Sequence, residues 1–117
     1  MSFRFEGLEI WQRAREFSRL VDSSVAGFPQ YELYGLRSQI TRAANAVVLL
    51  ISEGAGLSTK ALFCHRLSLA VGEVFEVAAA TILAQDRGYI SKDIAQQLYE
   101  LADALARKIT RFKRTVR

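Results

Sequence analysis

Cysteine, histidine and proline are all but missing from this chain of 117 residues, which holds one of each. A lone Cys64 cannot close an internal disulfide, and Cys64 with the single His65 cannot supply the ligand set of a zinc site. The Glu-x-x-His pairs of di-iron bundles do not occur. No cofactor or metal is therefore expected. With 7 Gly and 1 Pro, turn signals are too sparse for a many-stranded sandwich or a collagen-like repeat. Long apolar runs are missing as well: the longest, Ala46 to Ile51, falls far short of the ~20 residues that cross a bilayer. No membrane helix is expected. The opening Met1 to Trp11 has no charged n-region, apolar h-region or small-residue cleavage site, which points to a cytoplasmic protein.

What is present is 50% hydrophobic and 24% charged residues, the composition of one small globular domain over residues 1–117. Leu8, Trp11, Ala14, Phe17, Leu20, Val21 and Val25 recur at steps of three and four, so a first amphipathic helix is expected over about 8–26. Gly27 and Pro29 stop it, with Phe28 folding back as a plug. A second helix follows over 32–53, ended by Gly54 and Gly56. The third, over 59–86, opens on Ser58 as N-cap and carries Leu62, Phe63, Leu67, Ala70, Val71, Val74, Phe75, Ala78, Ile82 and Leu83. Gly88 ends it, and Ser91 caps a fourth helix over 91–114 striped by Ile94, Leu98, Leu101, Leu105, Ile109 and Phe112. Joints this short connect antiparallel neighbours, so the expected fold is all-α, an antiparallel up-down-up-down four-helix bundle.

The second and third helices are apolar on more than one face. A helix apolar nearly all round is buried all round, and a small bundle can achieve that only by associating with copies of itself. A homo-oligomer is expected, with Val48, Leu49, Ile51, Val77, Ala79 and Ala80 at its interface.

Side chains able to do chemistry are few. Cys64 and His65 are neighbours, yet adjacent helical residues point about 100° apart and do not share a proton. Glu73 and Glu76 lie on one side of an otherwise nearly uncharged stretch, where pairing with an arginine such as Arg42 suits them better than acid–base catalysis. Glu53, unfavourably placed at a helix C-terminus, needs a salt bridge or loop amides. The Gly54 to Lys60 loop is glycine-rich but follows a helix and lacks the Gly-Lys-Ser/Thr order of a phosphate loop. No enzymatic activity is expected.

Charge is unevenly spread. Arg107, Lys108, Arg111, Lys113, Arg114 and Arg117 stand in the last eleven residues without an acid, whereas the rest of the chain holds ten basic and twelve acidic residues. Such a cluster suits the backbone of RNA or DNA, read without sequence preference. The competing reading is that these cations only complement the last helix's dipole, leaving a structural or protein-interaction adaptor that binds no nucleic acid.

Phe5-x-x-Leu8-x-x-Trp11-x-x-Ala14, Phe28-Pro29, Tyr34-Gly35-Leu36-x-x-Gln39-x-x-Arg42-Ala43-Ala44, Glu53-Gly54 and Gly88-Tyr89-Ile90 together resemble the bacterial four helix bundle protein family. That family is also known as the intervening-sequence proteins of large-subunit ribosomal RNA genes. It is similar in turn to the accessory variability determinant of diversity-generating retroelements. The resemblance implies a homopentameric ring without enzymatic activity, a basic surface facing nucleic acid, and in the retroelement branch a reverse transcriptase as partner. A ring would repeat the basic cluster around one rim. The chain departs from the family at Ala46 to Gly54, where Ser-Ile-Pro-x-Asn-Ile-Ala-Glu-Gly is usual. Both the Pro and the Asn are gone, which removes a kink and makes the second helix more apolar.

Overall fold

The computed structural model describes residues 2–116, so Arg117 lies outside the described residues. Four helices, α1 (Glu9–Val25), α2 (Leu36–Ala55), α3 (Lys60–Asp86) and α4 (Lys92–Val116), make up the chain with two short 3-10 turns and no strand among the described residues. Hydrogen bonds and ion pairs between helices fix their directions. Trp11 Nε1 donates to Ser52 Oγ and Ser18 Oγ to Asn45 Oδ1, so seven residues up α1 match seven down α2. Arg66–Glu53 and Arg42–Glu76 run the same way between α2 and α3, as do Lys113–Ser68 between α3 and α4 and Lys108–Glu9 between α4 and α1. Each helix packs closely on two neighbours in the cycle α1, α2, α3, α4, and the diagonal pairs lie farther apart. The 27 residues of α3, about 40 Å at 1.5 Å per residue, match the 43 Å long axis.

The core runs down the middle of this cycle, with Phe17, Ile40, Ile51, Leu67, Leu98 and Ile109 fully enclosed. Each such side chain contributes roughly 1.5–3 kcal/mol relative to exposure. Burial corrects part of the expected interface. Ile51, Val77 and Ala80 are taken up by the chain's own core and are not available to a second copy. Val48 is half-buried against that core, while Leu49 and Ala79 face outward. The stripe on α3 is corrected as well: Phe63, Leu67, Ala70 and Val74 point in, but Leu62, Phe75, Ile82 and Leu83 are exposed. On α4 the exposed Ile94 and Leu101 give way to buried Ala95, Ala102 and Ala106. By length and composition α3 could cross a membrane, contrary to the expectation from run length. Here it packs between α2 and α4, and its glutamates pair with an arginine of α2.

Helix ends follow local chemistry. Ser91 Oγ accepts from the Ile94 amide at 3.2 Å, as its capping role requires. Thr59, one residue beyond the expected Ser58, caps α3 by accepting from Leu62 at 3.1 Å. Gly88, at φ +76, closes α3 with paired bonds from Gly88 to the Gln85 carbonyl and from Tyr89 to that of Ala84. Gly54 is buried where α2 and α3 converge; a Cβ there would stand 2.7 Å from the Phe63 ring. Phe28 is buried and packs on Tyr89 with ring centroids 5.2 Å apart.

The start of α2 differs most from expectation, lying at Leu36 instead of near residue 32. Residues 30–32 form a 3-10 turn, and the Glu32 carboxylate reaches forward to accept the Leu36 amide at 3.0 Å. Tyr89 donates to the same carboxylate at 2.8 Å, and Arg87 pairs with it at 3.2 Å. Because Tyr89 gives its proton to Glu32, Tyr31 donates to Tyr89 across 3.0 Å. The Tyr31 bond, burial and Glu32 raise the Tyr89 pKa and keep its hydroxyl protonated. The Leu36 amide first, then Tyr89 and Arg87, hold the Glu32 carboxyl below its ordinary pKa. A depressed carboxylate stabilises the fold above its unfolded pKa, and that contribution fades as pH falls through its folded value. Glu32→Gln should therefore lower the melting temperature at neutral pH, and the gap to wild type should close in acid. Thermal unfolding followed by circular dichroism across that range checks it.

Candidate nucleic-acid interface

The last helix carries the basic residues, and its geometry sorts them. Arg107, Arg111 and Arg114, at steps of four and three, share the solvent side of α4 and line a shallow groove against α3. Val71 and Phe75 form the α3 wall of this groove, whose volume is about 450 Å³. Arg107 pairs with Asp103 one turn back, at 3.1 Å, an exposed pair of the kind that contributes little to stability. Arg111 and Arg114 make no side-chain hydrogen bond or ion pair with any described residue.

The two lysines point elsewhere. Lys108 turns to α1 and binds Glu9 Oε1 at 2.6 Å, and this contact, aided by Arg13 and Arg111, lowers the Glu9 pKa. Lys113 reaches over α3 to Ser68 Oγ at 3.0 Å. The six-residue cluster read from the sequence thus resolves into three arginines along one groove and two lysines tying α4 to its neighbours. Arg117 is not among the described residues. The segment is also structural: Ile109 is fully buried and Phe112 packs edge-on against Phe63 at 5.8 Å. Removing residues 107–117 would strip the core along with the charge, so single substitutions are the proper probe.

Phe75 is the residue that sequence reasoning missed. Its spacing puts it in the apolar series of α3, yet 65% of it is exposed beside the arginines. The groove continues past it toward the N-terminus of α4, floored by Val74, Ala78 and Ala102 and bounded by exposed Tyr99. The signal was one of spacing. Phe75 lies twelve residues beyond buried Phe63, on another side of a helix that is apolar nearly all round.

The remaining candidates have structural partners. Arg42 stands 2.6 Å from Glu76 and 3.7 Å from Glu73, so this pairing ties α2 to α3 within one chain. Glu53 meets Arg66 at 3.5 Å. Cys64 Sγ lies 3.8 Å from the Lys113 carbonyl, while His65 is exposed. No cluster of His, Cys, Asp and Glu able to hold a metal exists among the described residues.

The fold is similar to the crystal structure of a protein of unknown function from the S23 ribosomal protein family of Bacteroides thetaiotaomicron, with a TM-score of 0.80. The two are 17% identical, and the match covers 89% of this chain and 97% of the other. No curated protein matches the chain. The model of the 23S rRNA-intervening sequence proteins matches residues 6–111, nearly the whole bundle from the first turn to the arginine face. The chain belongs to the 23S rRNA-intervening sequence protein family.

Proposed function

We propose that this protein is a non-enzymatic scaffold that binds RNA or DNA through phosphate contacts from the α4 face, and that copies of it associate through α3. The observation that carries the first part is the strip of Arg107, Arg111 and Arg114, two of them without an ionic partner among the described residues. An exposed arginine is a ready phosphate ligand, since its guanidinium can donate two parallel hydrogen bonds to one phosphate. Membership of a family named for ribosomal RNA supports RNA as the polyanion. Labelled structured RNA and a DNA duplex, followed by fluorescence anisotropy at low salt, should both bind. Failure of both to bind would remove the nucleic-acid reading and leave the adaptor.

The outward face of α3 supports the second part. Leu62, Leu69 and Leu83 are each more than 40% exposed on the arc of α3 turned away from the groove against α4. Apolar area of this kind favours association, and a charge placed in its middle opposes it. Ala79 is exposed there, so Ala79→Glu should leave the helical content intact. Its mass in light scattering should fall toward 13.1 kDa, from a multiple of that value in wild type. A wild-type mass of one chain at micromolar concentration would contradict this part.

A further inference from the structure

The groove between α3 and α4 has two halves of different character joined at Phe75. On one side stand Arg107, Arg111 and Arg114; on the other, an apolar floor leads to Tyr99. Phe75 is 65% exposed and Tyr99 50%, so both rings offer surface to a ligand instead of filling the core. Covering either ring with a ligand would remove apolar surface from water, which favours binding. From Tyr99 to Arg114 the helix rises about 22 Å at 1.5 Å per residue, room for a few nucleotides.

We infer that this groove is a binding cleft for single-stranded nucleic acid, in which the arginines hold phosphates and Phe75, with Tyr99, stacks unpaired bases. This rests on the phosphate-binding reading of the arginine face and adds the strandedness of the ligand. A duplex offers phosphates but keeps its bases stacked inside, so it can use the arginines and not the rings. A single strand presents both, and every base has a face that can stack on an aromatic ring, so such recognition tolerates any sequence. Asp103 is the one carboxylate in the cleft, and Arg107 neutralises it at 3.1 Å. Charge complementarity also selects the occupant over an apolar peptide, since three guanidinium groups border one carboxylate.

The test compares a short labelled oligouridine strand with an RNA duplex of the same length, using the full chain and two variants. Single strand should bind more tightly than duplex. Phe75→Ala, at an exposed site, should weaken single-strand binding about tenfold, the effect of losing one stacked base, and leave duplex binding unchanged. Arg111→Glu should weaken both. Equal affinity for strand and duplex, with neither altered by Phe75→Ala, would overturn the stacking cleft while leaving phosphate binding in place. A Phe75→Ala protein with unchanged affinity but reduced mass in light scattering would show that a second copy covers the ring, and would also overturn it. If neither nucleic acid binds wild type at low salt, the underlying phosphate reading fails first.

Discussion

Replacing Arg111 and Arg114 together by glutamine should reduce RNA affinity about 100-fold at low salt while leaving the fold intact. The magnitude follows from two lost charge-assisted hydrogen bonds at about 1.5 kcal/mol each, the lower end of their range because both sites are solvent-exposed. No described side chain depends on either arginine for a hydrogen bond or ion pair, so circular dichroism and melting temperature should barely move. Lys108→Gln gives the contrast. It removes a partner of Glu9 and one tie between α1 and α4, so it should affect stability more than affinity. Should the double variant bind RNA as wild type does, the arginine strip would be helix capping and the adaptor reading would stand.

Ile109→Ala should produce the largest loss of stability among changes in the same segment. Ile109 is fully enclosed one turn from Phe112, so its truncation removes buried hydrocarbon and leaves a cavity, at a cost of about 2–5 kcal/mol. For a domain of this size that is a large part of the whole folding free energy. Chemical denaturation should show a lower midpoint. Nucleic-acid affinity, measured where the variant remains folded, should stay near wild type. The pair of results would separate two roles that alternate along one stretch of α4: inward side chains that hold the bundle, and outward arginines that meet the ligand. Unchanged stability in Ile109→Ala would contradict the packing described here.

The four helices were legible because α1 and α4 each carry a narrow apolar stripe against a polar remainder, and because Gly27, Pro29, Gly88 and Ser91 mark their limits. The start of α2 was hidden. Glu32 is no ordinary N-cap residue, and what holds its carboxylate against Leu36 includes Arg87 and Tyr89, more than fifty residues away. The faces of α3 were hidden for the opposite reason. Apolar residues surround it, so periodicity alone cannot say that Val77 and Ala80 point inward while Phe75 and Ala79 point out. That distinction comes from the packing cycle, in which α3 lies between α2 and α4 and diagonal to α1. The arginine strip was partly readable. Steps of four and three placed Arg107, Arg111 and Arg114 together, but only Glu9 and Ser68 on other helices decide where Lys108 and Lys113 go.

The tyrosine and glycine motifs that carry the family resemblance find their physical cause where α2 begins. Gly88 takes a backbone conformation with positive φ that closes α3, and Tyr89 then reaches Glu32. Gly35 leaves the space in which the Glu32 carboxylate sits, since a Cβ there would stand 2.5 Å from its Oε1. Short motifs far apart in sequence thus meet at one end of the bundle, where they set the start of α2 and the turn into α4.

The most direct measurement is the salt dependence of RNA binding by the wild-type protein. Arg111 and Arg114 contacting phosphates of a single strand predict that the logarithm of affinity falls linearly with the logarithm of salt concentration, with a slope of about −1.4 for each bound chain. Assembly into a ring would steepen the slope through the number of chains engaged. Affinity independent of salt, or no binding at low salt, would contradict the assignment of the α4 face to nucleic acid.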